Sequence, residues 1–408
     1  MPRDLMITEQ VAKDVPSLME LRGEDVVVEQ TPTLLLALYL MHEMTLSENG
    51  GGTSEWQEYL DLLPGEYSIP LQYTIDELRL LQETQLFSNA IRMLVNAALQ
   101  YARLHKIFAS EKAAKKDVVV PLGEFTWDLM VWSLSAVLTR QNQIPTIAPP
   151  TLQKEGEAAV TETAPTMQLA LIPLWDMCNH LPGEITTFYN IETKSLECLA
   201  MSSFAEGQEI CMAYGSRPNA HLLLYSGFVA EGNAHDSVQV TLSLSSAGDA
   251  SGSKILESKK SFLQSMRLGE KCAFAVKPGS GIEPQGLSFL RICAMDQQDI
   301  DRAMSEGVDV SKVVSLRNEH KAIALLRQEL ERISKGYTTT LAQDEEKYEA
   351  IKKKGDSYKA TTGAHARILE RKLVNVVLPE TIENEGRLKK KYQSREKKKK
   401  KKKAAAPQ

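Results

Sequence analysis

The chain has 408 residues, more than one hydrophobic core usually organises, so we expect two domains or one domain with a large appendage. Hydrophobic residues make up 43% and charged residues 25%, which argues against a disordered, collagen-like or coiled-coil class for most of the chain. The net charge of −5 hides an asymmetry, because residues 387–403 carry twelve Lys and Arg against one Glu, which leaves the remainder strongly acidic.

Apolar segments and cysteines restrict where the protein is found. The longest strongly apolar stretch, Leu34 to Met41, is far shorter than the ~20 residues that cross a bilayer, and the N-terminus lacks a signal-peptide apolar region. The five cysteines form no C-x-x-C pair, which argues against a disulfide framework and a structural zinc site. We therefore expect a cytoplasmic protein, with the nucleus as an alternative location, that binds no metal and no membrane.

The first half of the chain is predicted to be helical. Thr74 to Glu77 fits a capping box, and apolar residues then recur at helical spacing to about Phe108, which predicts one long or broken helix. A second helix follows the N-cap Thr126 and ends near Arg140. Residues 146–165 are rich in Pro, Thr, Ala and Glu without apolar periodicity, so we expect a flexible loop there.

From Leu169 the pattern changes to short β-like runs, and helices follow. The predicted strands are Leu169–Leu174, Ile185–Tyr189, Leu196–Met201, Glu209–Tyr214 and Ser237–Leu244, with one or two helical turns at Asn219–Ser226. Beyond Gly252 the pattern predicts helices, one with Ile323, Leu326, Leu330 and Ile333 on one face and another over Ile368–Val377. The Lys-rich run repels itself, so residues 379–408 are expected to form a disordered basic tail.

Three segments place polar or aromatic groups at the end of an apolar element. They are T-R-Q-N-Q-I-P-T at 139–146, L-W-D-M-C-N-H at 174–180, and Y-G-S-R-P-N at 214–219 continuing to S-G-F at 226–228. Taken singly, the residues of these segments have ordinary structural explanations. His180 could be a core or loop histidine, Arg140 could stabilise the C-terminal end of a helix through the helix dipole, and Trp175 could pack in the core. The sequence has no Gly-rich phosphate loop, H-E-x-x-H motif or nucleophile elbow, so spacing alone identifies no activity.

Taken together and in this order, the three segments resemble the SET-domain protein methyltransferases, in the subgroup with a Rubisco-methyltransferase-type C-terminal domain. The first two segments are similar to members that methylate a histidine of actin. The resemblance implies an α+β fold, in which a SET domain of short antiparallel strands over residues 1–240 holds a large helical insert at about 33–140. An α-helical substrate-binding domain follows over 241–378. The resemblance begins after the glycine-containing cofactor loop of the family, so we expect the N-terminal strands to be absent and the activity to be low.

The resemblance implies S-adenosyl-L-methionine as the cofactor. Its carboxylate calls for a cation, and its adenine calls for backbone hydrogen bonds and an aromatic face. Arg140 would pair with the carboxylate, Tyr214 would line the methyl-transfer channel, and no metal is implied. The other cofactor-binding residues that the resemblance implies are Asp176, Met177, Cys178, Asn179, His180, Ser226, Gly227 and Phe228.

The substrate side of the site points to an imidazole. A histidine side chain is largely neutral near pH 7, so it needs its tautomer chosen rather than a proton removed. Asn142 can bond the ring nitrogen that does not attack, and Trp175, Gln141 and Arg217 are implied to contact the substrate.

The predicted function is therefore N-methylation of a histidine in actin. Two alternatives stay open: lysine methylation on the same scaffold, and a truncated, non-catalytic module that binds actin or another protein. Nucleic acid is not expected as a partner beyond nonspecific contacts of the basic tail.

Overall fold

The computed structural model describes residues 1–46, 52–110, 119–146, 166–247, 253–279 and 281–404. The chain forms two compact units. The first comprises Met1–Asp76, Ser88–Arg217 and His221–Phe228, and the second comprises Glu77–Phe87, Pro218–Ala220 and the chain from Val229 onward. Nearly all of the loop predicted at 146–165 lies outside the described residues. Among the helices of the described ranges, none combines the length and the apolar character needed to cross a membrane.

The helices before residue 141 include one that is apolar on all sides. They are α1 (Glu9–Lys13), α2 (Pro16–Glu24), α3 (Val26–Gln30), α4 (Pro32–Leu46), α5 (Gln57–Leu62), α6 (Ile75–Arg79), α7 (Gln85–Phe108) and α8 (Trp127–Arg140). Every residue of α4 from Leu34 to Met41 is buried, and a helix that is apolar on all sides has to lie inside a core. Helix α8 packs against α4. The large helical insert is thereby confirmed, with α4 at its centre.

Both helices predicted in this half of the chain are present, and one of them is broken. Helix α8 begins directly after the predicted N-cap, where the Thr126 hydroxyl accepts a hydrogen bond from the Leu129 N–H at 3.2 Å. The other predicted helix divides into α6 and α7. Glu83, which lies between them, has a φ of 67°, and a right-handed helix does not continue through such a residue.

Short strands border the predicted site residues. They are β1 (Ile7–Thr8), β2 (Asn142–Pro145), β3 (Met167–Leu171), β4 (Asn179–His180), β5 (Thr187–Asn190), β6 (Ser195–Cys198) and β7 (Cys211–Met212). Strands β1, β3 and β2 form an antiparallel sheet in that order, and β5 pairs with β6 as a hairpin. Strands β4 and β7 pair in parallel, which corrects the expectation of antiparallel strands alone. Two parallel neighbours need a long connection, and the chain between β4 and β7, which includes the β5–β6 hairpin, provides it.

The second unit contains a sheet, which corrects the prediction that the chain is helical beyond Gly252. Strands β8 (Val238–Ser243), β9 (Lys271–Lys277) and β10 (Gly281–Ile282) form an antiparallel sheet in the order β10-β9-β8. In β9, Cys272, Phe274 and Val276 are buried while the residues between them are more exposed. This alternation is the strand period of two, which the helical interpretation overlooked. Strand β8, predicted to end the first domain, therefore pairs within the second unit.

The remaining helices include one that is longer than predicted. They are α9 (Asn219–Ser226), α10 (Ser253–Ser265), α11 (Pro284–Cys293), α12 (Gln297–Glu306), α13 (Leu316–Lys335), α14 (Leu341–Lys354) and α15 (Tyr358–Ala404). The predicted apolar face of α13 is confirmed, because its four residues are buried. Helix α15 continues to Ala404, so the backbone over 379–404 is helical in the structure, where the sequence predicted a disordered tail. Lysine has a high helix propensity, which lets the helix continue beyond the buried Val374 and Val377.

Candidate active site

A cavity of about 400 Å³ in the first unit brings together eight of the fourteen predicted site residues. They come from the C-terminal end of α8, strand β2, the turn after β3, the segment after β7 and the end of α9. These residues are Arg140, Gln141, Asn142, Trp175, Asp176, Tyr214, Arg217 and Ser226. Apolar side chains complete the lining, among them Met167, Ile185, Phe188 and Met212. The cavity therefore combines a few polar groups with an apolar wall, as small-molecule and peptide sites commonly do.

The turn after β3 determines how Trp175 and Asp176 are presented. The Trp175 N–H donates to the Pro173 carbonyl at 2.8 Å across Leu174, whose φ of 66° and ψ of −47° describe a γ-turn. The Asp176 N–H then donates to the Ile172 carbonyl at 3.0 Å. These two bonds fix the short 3₁₀ turn Trp175–Met177, so that consecutive residues border the same cavity.

A buried charge pair borders the cavity. The Nη1 of Arg140 donates to the main-chain carbonyl of Asp176 at 2.7 Å and lies 3.7 Å from the Oδ1 of that residue. The hydroxyl of Tyr59, on α5, donates to the Asp176 Oδ2 at 2.6 Å. Burial raises the pKa of the Asp176 carboxyl to about 6, although the Tyr59 hydrogen bond and the Arg140 charge both act to lower it. Within the described ranges, the Arg140 Nε and the Asp176 Oδ1 are buried and have no hydrogen-bond partner.

The amide of Asn142 has a defined orientation in the cavity wall. Asn142 lies in β2, where it pairs with Ala170 of β3. Its Nδ2 donates to the Arg140 carbonyl at 3.0 Å. Because a carbonyl oxygen can only accept, the atom of the Asn142 amide that faces it must be the Nδ2 donor. The Oδ1 atom is then the one that can accept from other groups. Asn142 can therefore accept a hydrogen bond from an N–H group in the cavity.

Tyr214 connects the cavity to an aromatic cluster. The Tyr214 ring lies 5.1 Å from the His180 ring, and the His180 ring lies 5.7 Å from the Phe228 ring. The Tyr214 N–H donates to the His180 Nδ1 at 3.1 Å, and the Tyr214 hydroxyl donates to the Cys178 carbonyl at 2.8 Å. Burial lowers the pKa of His180 and raises the pKa of Tyr214, so both rings are largely neutral at pH 7.

Six predicted site residues lie outside the cavity lining, namely Met177, Cys178, Asn179, His180, Gly227 and Phe228. The Asn179 side chain is exposed and donates to the Glu209 Oε1 at 2.6 Å. Gly227 has a φ of 77°, and a Cβ at this position would lie 2.9 Å from the main-chain carbon of Ser68. The close approach of these two segments therefore explains the glycine, which also ends α9.

Two tyrosines at this site were not predicted from the sequence. Tyr59 bonds Asp176, and Tyr189 lines the cavity. Tyr59 stands at helical spacing with Trp56, Leu60 and Leu63, which is the usual pattern of core packing. Its bond to a residue 117 positions further along the chain depends on tertiary packing, for which no local pattern exists.

Comparison with known proteins defines the class. Residues 251–374 match the family model described as Rubisco LSMT substrate-binding. The chain is similar to the crystal structure of the SET domain of LSMT bound to lysine and AdoHcy, with a TM-score of 0.71 and 19% identity, over 95% of this chain and 82% of that one. Rubisco LSMT bound to AdoMet gives a TM-score of 0.68 and 20% identity over the same shares. At this identity the likeness concerns the fold. The chain therefore has the fold of these SET-domain proteins, and its residues 251–374 carry the pattern of a Rubisco LSMT-type substrate-binding domain, as its motifs indicate.

Within this class the chain is similar to curated relatives that share one name. The actin-histidine N-methyltransferases of Dasypus novemcinctus and Mus musculus are each 32% identical over 406 residues, which cover 97% of this chain. The Homo sapiens protein of the same name is 33% identical over 354 residues, or 84% of this chain. The chain spans 63% of the first two relatives and 55% of the third. The resemblance that the three segments indicate is thereby confirmed.

Proposed function

We propose that the chain is an S-adenosyl-L-methionine-dependent protein-histidine N-methyltransferase that acts on actin. The observation that carries the proposal is the oriented amide of Asn142, which offers an acceptor in the wall of a cavity that also presents Arg140, Trp175 and Tyr214. An amide acceptor suits an imidazole N–H better than it suits the aliphatic stem of a lysine. The similarity to actin-histidine N-methyltransferases over 97% of the chain supports actin as the substrate.

The residues around the cavity fit the proposed cofactor. The buried Arg140 Nε has no partner within the described ranges, and a carboxylate would satisfy it with a charge-assisted hydrogen bond. The neutral rings of His180 and Phe228 offer aromatic faces for an adenine. A cavity of about 400 Å³ also lies within the size range of small-molecule sites. Arg140 would therefore hold the amino-acid end of the cofactor, and the aromatic cluster would hold the adenosyl end.

When bound, the cofactor supplies a methyl group on a positively charged sulfonium, and the chain supplies alignment. Tyr214 is a neutral phenol whose hydroxyl donates to the Cys178 carbonyl, and this bond fixes the position of the hydroxyl oxygen in the cavity wall. Asn142 accepts the N–H of the substrate imidazole and leaves the lone pair of the other ring nitrogen to attack. Trp175 packs against the ring. The attacking nitrogen of a neutral imidazole carries no proton, so the transfer itself needs no general base. The methyl–sulfur bond would break as the nitrogen–methyl bond forms, and the methylated imidazolium would then lose its N–H proton to solvent.

The proposal is tested by mass spectrometry of actin incubated with the 408-residue chain and isotopically labelled S-adenosyl-L-methionine. The chain is used in excess over actin, so that even a low turnover leaves a measurable label. We expect the label on a histidine, and we expect Asn142→Ala to remove most of it. Label on lysine alone would replace the proposal with lysine methylation. Binding of actin without any label would favour a non-catalytic module.

We also propose that the chain binds actin directly and acts in the cytoplasm. The support is the name shared by the curated relatives and the location of most actin. Co-sedimentation with filamentous actin tests the first part, and fractionation of cells expressing a tagged chain tests the second. A chain recovered only in nuclei would contradict the proposed location.

A further inference from the structure

Tyr59 lies outside every motif of the sequence and yet contacts the charged pair of the cavity. It belongs to α5, in the helical insert, and it is 5% exposed. Its hydroxyl donates to the Asp176 Oδ2 at 2.6 Å, at the short end of the range for a bond to a carboxylate. Asp176 is 6% exposed, so solvent does not substitute for this bond.

Asp176 connects Tyr59 to Arg140. One carboxylate oxygen of Asp176 accepts from Tyr59, the other lies 3.7 Å from the Arg140 Nη1, and its main-chain carbonyl accepts from the same Nη1 at 2.7 Å. The main-chain bond is independent of charge, whereas the side-chain attraction exists only when the carboxyl is ionised. A hydrogen bond donated to a carboxylate favours the ionised form. Tyr59 thus acts on the state of Asp176 on which the attraction to Arg140 depends.

We propose that Tyr59 is a positioning residue that keeps Asp176 ionised and thereby holds the Arg140 guanidinium in place for the cofactor carboxylate. The inference rests on the proposed function, because it assigns Arg140 to that cofactor. The inference goes beyond the proposed function because it gives the helical insert a role in cofactor binding. Tyr59 itself touches neither the cofactor nor the reacting atoms.

The charged and titratable groups around Asp176 are Arg140, Tyr59, Tyr67, Cys178 and Tyr214. Burial raises the pKa of each tyrosine and of the Cys178 thiol above its ordinary value, which is itself above about 8. Burial raises the pKa of Asp176 to about 6. Of this set, Asp176 is therefore the group that changes charge between about pH 5 and 8.

The test is a calorimetric titration of the 408-residue chain with S-adenosylhomocysteine over about pH 5 to 8. In the unmodified chain we expect affinity to fall as the pH is lowered through about 6, where Asp176 takes up a proton. Loss of the Tyr59 hydrogen bond in Tyr59→Phe should raise the pKa of Asp176 by about one unit. The affinity of this variant should then be about twofold lower at pH 7, and the loss should approach tenfold near pH 5.

Tyr67→Phe is the matched control. It makes the same change in a second buried tyrosine beside the same pair, but the Tyr67 hydroxyl interacts with the Arg140 guanidinium, whereas the hydrogen bond to the Asp176 carboxylate comes from Tyr59. Its pH profile should match that of the unmodified chain. Asp176→Asn cannot ionise, so it should remove the fall in affinity near pH 6. His180, whose own pKa burial lowers, is the same in all of these chains and cannot produce a difference between them.

The outcomes separate this inference from the proposed function. If Tyr59→Phe follows the same profile as Tyr67→Phe, Tyr59 is a packing residue and the inference is wrong, while the proposed function stands. If Tyr59→Phe does not fold, Asp176→Asn decides, since an unchanged fall near pH 6 would contradict the role of Asp176. If the unmodified chain does not bind S-adenosylhomocysteine at any pH, the proposed function and the inference both fail.

Discussion

The two units each contain a largely buried arginine–carboxylate pair, and the two pairs differ in how completely they are bonded. In the second unit, the Nε and Nη2 of Arg291 donate to both oxygens of Glu319 at 2.7 and 2.8 Å, and Nη1 donates to the Ser311 carbonyl. In the first unit, the Arg140 Nη1 lies 3.7 Å from the Asp176 Oδ1, and buried atoms of both residues have no partner within the described ranges. A fully bonded pair stabilises one state of the protein. An incompletely bonded pair keeps hydrogen-bonding capacity that a ligand can use.

The largest effect is expected from removing the fully bonded arginine. Arg291→Met leaves the Glu319 carboxylate without its forked partner, and breaking such a pair lowers the free energy of unfolding by about 3 to 5 kcal/mol. Urea denaturation measures this loss. The affinity of the folded fraction for S-adenosylhomocysteine should stay unchanged. A loss of affinity equal to that of Arg140→Met would mean that the two pairs do not have different roles.

Removing the incompletely bonded arginine should act mainly on binding. Arg140→Met loses the cation that we propose for the cofactor carboxylate, and we expect S-adenosylhomocysteine affinity to fall about 100-fold, or about 3 kcal/mol. The stability loss should be smaller than for Arg291→Met, because the pKa of Asp176 is already about 6 and the carboxyl can become neutral by taking up a proton. Calorimetry and urea denaturation of the same preparation give both values. Undiminished affinity would exclude Arg140 from the cofactor site.

A change at Asn142 should separate substrate alignment from cofactor binding. Asn142→Ala removes the acceptor that we propose selects the imidazole tautomer, so kcat/KM for actin should fall about 10-fold to 100-fold. Affinity for S-adenosylhomocysteine should stay within about twofold, since one hydrogen bond to the main chain is lost at the site wall. Steady-state assays and calorimetry distinguish the two. An equal fall in both quantities would place Asn142 in the cofactor site instead.

The smallest expected effect is a dependence of stability on pH that differs between the units. The pKa of Asp176 is raised from 3.8 to about 6, so the folded state binds a proton that the unfolded state does not bind between these values. Lowering the pH from about 7 to 5 should therefore add about 1 kcal/mol from this group. In the second unit, burial acts to raise the pKa of Glu83, but hydrogen bonds from Thr338 and Arg367 lower it to about 2. The stability that Glu83 contributes is lost only as the pH falls from about 4.5 toward 2.

Urea denaturation above the pH range in which Glu83 titrates isolates the contribution of Asp176. The unmodified chain and Asp176→Asn are compared at about pH 7 and pH 5. The gain at the lower pH should be present in the first and absent in the second. A gain of the same size in both chains would assign the effect to another group.

Local periodicity was sufficient to predict α7, α8 and α13, but it did not predict that α15 continues to Ala404. The N-cap Thr126 located the start of α8, and four apolar residues at helical spacing located the buried face of α13. Strand β9 was missed because seven alternating residues between helical segments give a short and weak signal. The motifs located eight residues of the cavity, since each motif ends an element that borders it. Tyr59 could not be predicted, because its bond to Asp176 depends on how α5 packs against a turn that lies far away in the sequence.

The γ-turn at Leu174 has a consequence for how this segment can vary in evolution. The Leu174 side chain is 66% exposed, so its own packing does little to offset a backbone conformation that costs on the order of 1 to 3 kcal/mol for a residue with a Cβ. The main-chain bonds of Trp175 and Asp176 offset that cost instead. The requirement on the residue at this position is therefore a backbone conformation rather than a particular side-chain chemistry. Substitution by glycine would lower the steric cost of the γ-turn and make the cavity wall more flexible, while the side chains that line the cavity would stay the same.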